Sequence, residues 1–337
     1  MSDIVRIWYV SAQRLCNFRC RYCVSVNDYT KSNTEDWYGP DDLARFERIV
    51  RWIADRPFRV GVRLATLGEP FASRPFLAQA AWLSKRPNID FVELLTNGSL
   101  LKRLEQLRRE GDISKVSLWI THHHTEISVT RLIENARVAQ EEYGCFVVVN
   151  GLYFPDNEDS VLELRRAAQE AGLRFNLDLG YDPLTPHGTH STLDGMVPVL
   201  RKTAGGIGRA VRLGADPELL ELNLSAMQDL RNQSCSAGHD YFYIGIGGDV
   251  YRCSRYQALH RDRLGNVLDH GFELKLNDAR WVPCEAGFGC GNKEDFLNLQ
   301  RRARPATALA PSLGWVGGTG DSEDRWPSPQ ESPRKAR

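Results

Sequence analysis

The sequence predicts an α/β protein built on a parallel sheet. Two observations carry this: strand-like and helix-like runs alternate through the first half of the chain, and 337 residues are enough for one large domain plus a smaller module. The strand-like runs are residues 4–10, 59–65, 91–95, 116–120, 146–152 and 174–179, and the helix-like runs are 40–54, 76–85, 100–110, 126–143 and 160–171. Residues 4–10, Ile-Val-Arg-Ile-Trp-Tyr-Val, are apolar and β-branched enough for a buried strand. The later runs, such as Val-Ser-Leu-Trp-Ile at 116–120 and Phe-Val-Val-Val at 146–149, have the same character. Strands separated by helices return to the same end of the sheet and so run parallel. A right-handed series of this kind opens into a doubly wound sheet or curls toward a barrel, and periodicity alone leaves both open.

After residue 179 the pattern changes to a Pro/Gly/His-rich connection over 180–195, then a helical stretch, then a Cys-rich module over about 230–299. Beyond Arg304 the composition is Pro, Gly, Ser and charge, which buries too little apolar surface to offset its ordering entropy. The expected division is therefore 1–200, 201–229, 230–304 and a disordered tail over 305–337, with Trp315 and Trp326 as the tail's only hints of docking.

Charge points to no particular partner. Lys plus Arg and Asp plus Glu are 43 each, so nothing favours nucleic acid or an anionic membrane surface. No apolar run is long enough to span a bilayer, and the start of the chain leads directly into a strand pattern, so a cytoplasmic protein without a signal peptide is expected. Eight cysteines in such a chain read as metal ligands before disulfides.

Three of them, Cys16, Cys20 and Cys23, stand in the run Leu-Cys-Asn-Phe-Arg-Cys-Arg-Tyr-Cys directly after the first strand. Thiolates are the usual holders of iron–sulfur clusters, and three of them leave one iron of a four-iron cluster open to bind a small molecule. A zinc knuckle is the rival reading. The Cys-x3-Cys-x2-Cys spacing, with aromatic Tyr22 before the third cysteine, resembles the signature of the radical S-adenosylmethionine (SAM) enzymes. The resemblance implies a partial (β/α)6 TIM-like barrel, a [4Fe–4S] cluster chelating SAM, and a 5′-deoxyadenosyl radical that takes hydrogen from a substrate. It also implies an external electron donor such as flavodoxin or ferredoxin.

In parallel βα architectures the working residues lie at the C-terminal ends of the strands. After the second strand, Thr66-Leu67-Gly68-Glu69-Pro70 resembles the family's Gly-Gly-Glu motif, with Leu67 in place of the first glycine; by resemblance Gly68 and Glu69 receive the SAM ammonium. Thr96-Asn97-Gly98 after the third strand resembles the family's Thr-Asn-Gly segment, placing Thr96 and Asn97 near the cofactor. Residues 149–152 and Tyr22 are positioned like the family's adenine-packing groups. After the fourth strand, Thr121-His122-His123-His124-Thr125-Glu126 is the densest titratable cluster. Thr121 is assigned to the cofactor, and His122, His123, Glu126 and Tyr181, with Asp178, are the candidate substrate acids and bases.

Cys235, Cys253, Cys284 and Cys290 supply four further ligands, with Gly248 opening a Gly-x4-Cys hairpin. This resembles the twitch module, the shortened SPASM extension. Four thiolates fully ligate a second [4Fe–4S] cluster, suited to electron transfer or structural support; a four-cysteine zinc site, with His239 as a substitute ligand, is the rival. Cys145, at the start of the fifth strand, faces away from the active end and reads as a small buried hydrophobe. It is thus a poor hydrogen donor for epimerisation. The expected function is dehydrogenation of a small polar substrate (a sugar, aminocyclitol or nucleoside) in natural-product or antibiotic biosynthesis, since the barrel starting at residue 4 leaves no room for a preceding peptide-binding domain. Epimerisation or carbon–carbon bond formation on a nucleoside, sugar or ribosomal peptide is the alternative.

Overall fold

The computed structural model describes residues 4–23, 32–154, 156–179, 206–215, 220, 230–286, 290 and 293–300. Six strands, β1 (Val5–Ser11), β2 (Val60–Thr66), β3 (Ile89–Thr96), β4 (Val116–His122), β5 (Phe146–Tyr153) and β6 (Arg174–Leu179), alternate with α1 (Asp42–Ala54), α2 (Arg74–Ser84), α3 (Leu104–Glu110), α4 (Val129–Glu141) and α5 (Glu158–Glu170). The strands pair in sequence order, each pair parallel, forming a partial (β/α)6 barrel wall.

Local chemistry sets the helix starts. Ser73 and Ser128 cap α2 and α4 by accepting from the Phe76 and Arg131 amides, each cap stabilising by about 1 kcal/mol. Pro75 occupies the first turn of α2, where its missing N–H costs nothing. The helix expected from residue 126 begins instead at Val129, because Ser128 caps there and the preceding residues turn, the Glu126 amide donating to the His123 carbonyl.

Both faces of the wall are buried, so the strands read as nearly continuous apolar runs. The outer residues Val62, Leu64, Val92, Leu94, Leu118, Ile120, Val147 and Val149 share one core with Phe46, Ile49, Phe76, Leu104, Leu132 and Leu164 from the helices. Cys145 belongs to this helix-facing core; burial pushes its thiol up to about 12. The inner residues Trp119, Phe146 and Val148 belong to a second core, shared with Cys235, Cys253, Cys284 and Cys290.

Beyond β6 the chain continues through α6 (Gly206–Leu213), β7 (Ser234–Cys235), β8 (Tyr241–Ile244), β9 (Asp249–Tyr251), α7 (Ser254–Ala258), β10 (Gly265–Asn266), β11 (Val282–Pro283) and α8 (Lys293–Phe296). Strand β8 runs parallel to β1 on the side away from β2, with Trp8 opposite Tyr243; β9 and β10 follow antiparallel, extending the sheet to nine strands. A buried ion triad fastens α8 to the barrel wall. Arg63 on β2 lies 3.0 Å from Glu93 on β3 and 2.6 Å from Glu294, all three nearly without solvent contact, and the Arg6 guanidinium donates to Asn298 at 2.5 Å.

Tyr181, most of the 201–229 connection, and the expected tail over 305–337 with Trp315 and Trp326 lie outside the described residues. Among the described residues no helix is long and apolar enough to cross a membrane.

Candidate functional site

The C-terminal ends of β1, β2 and β3 are stitched into one surface by short contacts. The segment leading into the cysteine loop receives three backbone hydrogen bonds from the loop after β2: the amides of Leu67 and Gly68 donate to the Gln13 carbonyl at 2.9 and 3.1 Å, and that of Glu69 to the Leu15 carbonyl at 2.8 Å. Gly68 makes this approach possible, since a Cβ there would sit 2.3 Å from the Leu15 oxygen. Leu67, standing where the family motif often has glycine, is buried and tolerated because the close contact falls on its neighbour.

Glu69 is 1% exposed and spends its carboxylate on the chain. One oxygen accepts from the Thr96 hydroxyl at 2.6 Å and the Phe71 amide at 3.0 Å; the other accepts from the Asn97 amide at 2.7 Å. A buried carboxylate without such donors is costly, and three donors offset its desolvation. Asn97 then reaches the cysteine loop, its side-chain amide donating to Asn17 at 3.1 Å while Asn17 donates to Ser99 at 2.9 Å. Gly98 turns the chain at φ +71°, the left-handed region where side chains are strained.

Cys16 and Cys20 are buried and Cys23 half-buried, in a small cluster with Phe18 and Tyr22. The Cys16 sulfur accepts from the Phe18 amide at 3.5 Å. Tyr22 stacks on His123 and His124 at ring separations of 5.9 and 5.3 Å and packs against Phe154 at 4.6 Å. His123 also meets Phe18 edge-on, so it stands beside the cysteine loop. His122 is turned away from that group: it is buried, its Nε2 pairs with the Ile127 carbonyl at 2.9 Å, and burial lowers its pKa, leaving it neutral. His124 pairs with Asn157 at 3.1 Å, and Glu126 sits half-buried in the turn before α4. Of the expected acids and bases in this cluster, His123 stands beside the cysteine loop, His122 is bonded to the Ile127 carbonyl and Glu126 lies in the turn before α4.

Across the inner face, Thr121, Asn150, Asn176 and Asp178 form a polar row on β4–β6. Asn150 entered the sequence reading only as part of the apolar segment 149–152, and Asn176 did not stand out because a lone Asn in a short apolar run looks like an ordinary buried strand. The signal was their parity: both fall on the face opposite Val147 and Val149.

Cys235, Cys253, Cys284 and Cys290 line a small cavity with Tyr256, Arg252 and Asp295. Burial pushes the Cys235 thiol up to about 12 and those of Cys253 and Cys290 well above the ordinary range. Asp295, raised by burial to about 6, accepts from the Ser254 amide and hydroxyl at 3.1 and 2.5 Å and holds the turn after Cys253. His239 pairs with Asp240 at 2.6 Å.

Comparison with known proteins identifies the superfamily. The radical SAM superfamily model matches residues 10–174, and the GTP 3′,8-cyclase of Mycobacterium ulcerans is 33% identical over 322 residues, 87% of this chain and 86% of that protein. The chain belongs to the radical SAM superfamily. Another similar protein, the GTP 3′,8-cyclase of Acidothermus cellulolyticus, is 33% identical over 111 residues, 32% of this chain; that match spans under a third of the relative's own length, 30%. Among solved structures, Streptococcus suis SuiB bound to the precursor peptide SuiA is 15% identical, covering 82% of this chain and 66% of that one with a TM-score of 0.49. Radical SAM membership implies a [4Fe–4S] cluster and SAM. Three thiols of the kind that hold such a cluster come from one loop at the C-terminal end of β1, braced by the loops after β2 and β3.

Proposed function

We propose that this radical SAM enzyme removes hydrogen from a small polar substrate, a sugar, aminocyclitol or nucleoside, most simply as the dehydrogenation of an alcohol carbon in natural-product biosynthesis. Cys16, Cys20 and Cys23 would hold the SAM-binding cluster, and Cys235, Cys253, Cys284 and Cys290 an auxiliary one. The observation that carries the reading is the position of the second cysteine set: all four side chains are buried in the core on the barrel's inner face. When bound, the first cluster and SAM would supply a 5′-deoxyadenosyl radical, and the second would supply a one-electron acceptor.

The chain's own groups orient and protect. Glu69, Thr96 and Asn97 lock the two loops against the cysteine loop, so that SAM meets a fixed surface. Tyr22, His123 and Phe154 form an aromatic wall beside it that excludes water. His123 or Glu126 takes the substrate proton.

A second reading, carbon–carbon bond formation on a nucleotide, is supported by the similar proteins named GTP 3′,8-cyclase. One experiment tests both. After anaerobic reconstitution the protein should hold about eight irons, falling to about four in Cys253→Ala. Incubation with SAM, dithionite and either an aminocyclitol or GTP should raise 5′-deoxyadenosine formation with one of them. A ketone product supports dehydrogenation, a cyclised nucleotide the second reading. Zinc in place of iron and sulfide would sink both.

A further inference from the structure

The inner face of β4–β6 carries polar side chains that neither cysteine set uses. Asn150 stands in register with Thr121 on one side and Asn176 on the other. Asn176 Nδ2 donates to Asn150 Oδ1 at 2.6 Å and to Asp178 Oδ1 at 3.3 Å, and Asn150 Nδ2 donates to Thr121 Oγ1 at 3.5 Å. Asn150 and Asn176 are 2% and 3% exposed. Two residues earlier on the same face, Trp119 and Val148 pair across the strands and pack against the cysteine module.

The boundary between these rows is informative. Parallel barrels fill their interior with branched apolar side chains, and a buried amide is costly wherever a bond goes unmade. Valine or leucine at 150 and 176 would continue the apolar wall without that cost. The change to amides comes midway along β5 and β6, and the polar row continues through Asp178 toward the C-terminal ends, where βα architectures bind their ligands.

We propose that Asn176 and Asp178 form a specificity subsite that hydrogen-bonds two adjacent hydroxyls of a polyhydroxylated ring. The proposal rests on the reading of the substrate as a sugar, cyclitol or nucleoside. The two side-chain heads lie 3.3 Å apart, matched to neighbouring hydroxyls on one ring. With its two N–H groups given to Asn150 and Asp178, Asn176 presents its Oδ1 as an acceptor beside the acceptor-only Asp178 carboxylate, so together they receive the protons of two hydroxyls. Asn150 holds the Asn176 amide in a single orientation through the 2.6 Å bond.

The test uses the full chain, reconstituted anaerobically with iron and sulfide and saturated with SAM. Binding of 2-deoxystreptamine, methyl β-glucoside and guanosine is measured by saturation-transfer NMR and equilibrium dialysis, alongside SAM affinity and iron content. At least one probe is expected to bind. Asn176→Leu and Asp178→Asn should each weaken that probe at least tenfold, with SAM affinity and iron unchanged; Asp178→Asn preserves shape and guards against a folding defect in the leucine variant. Binding of none of the three probes, or unchanged binding in either variant, overturns the subsite. Failure of the radical reading shows separately, as no 5′-deoxyadenosine from SAM and dithionite.

Discussion

Replacing Glu69 with glutamine probes how the cofactor surface is built. The carboxylate accepts three hydrogen bonds, from Thr96 at 2.6 Å, Phe71 at 3.0 Å and Asn97 at 2.7 Å, at a site with 1% exposure. Glutamine keeps one acceptor and turns the other into a donor. If its carbonyl stays toward Phe71 and Thr96, its NH2 faces the Asn97 N–H; the flipped rotamer orphans two donors instead. The cheaper arrangement loses one charge-assisted bond, about 1.5–3 kcal/mol, and weakens the other two, so about 3 kcal/mol is expected in all. At roughly 2–4 °C per kcal/mol for a domain of this size, the melting midpoint should fall by about 6–12 °C. Calorimetry of Glu69→Gln beside the parent reads this directly, and titration with SAM should show weakened binding because the Asn97 turn is released. A midpoint within about 2 °C of the parent, with SAM affinity intact, would refute the view that this carboxylate is spent on holding the loops.

Other outcomes follow from the same geometry. Gly68→Ala drives a methyl into the Leu15 carbonyl and should cost about 1–3 kcal/mol while lowering 5′-deoxyadenosine formation; unchanged turnover would show that the loops can part. His122 is held neutral by burial, so the folded state binds fewer protons than the unfolded one below the ordinary imidazole pKa, and stability falls as pH drops below about 6.5. His122→Gln, which can still donate to Ile127, should show a smaller loss of melting temperature between pH 7 and pH 5. Cys145→Ala should leave iron content and SAM cleavage unchanged at a stability cost of about 1 kcal/mol, since the thiol lies in the helix-facing core; loss of turnover with full iron would instead support epimerisation. Arg63→Met strands Glu93 and Glu294 together in the interior and should cost about 3–5 kcal/mol, whereas the triple change Arg63→Met, Glu93→Gln and Glu294→Gln should recover much of it in denaturant titrations.

The barrel strands and helices were readable because each strand is a short apolar run bounded by a polar or glycine turn, and each helix repeats its apolar face. The cysteine loop was readable from spacing alone. Less visible was anything depending on distant partners. Glu69 reads in sequence as a group aimed at a ligand, and only the fold shows Thr96 and Asn97 delivering donors to it. Arg63, Glu93 and Glu294 look like scattered charges until β2, β3 and α8 meet. The pairing of β8 with β1 was likewise hidden, because a short apolar strand carries no mark of which neighbours it will take.

That last pairing has a consequence for how the chain is made. β1 leaves the ribosome before the rest of its sheet, yet one of its two partners, β8, is encoded more than two hundred residues later. Until those residues are synthesised, the strand that leads into the thiol loop keeps one bare hydrogen-bonding edge, the kind of surface that invites association with other nascent chains. Expression at lower temperature, or with holdase chaperones that shield bare strands, should therefore raise the yield of soluble chain ready for iron loading.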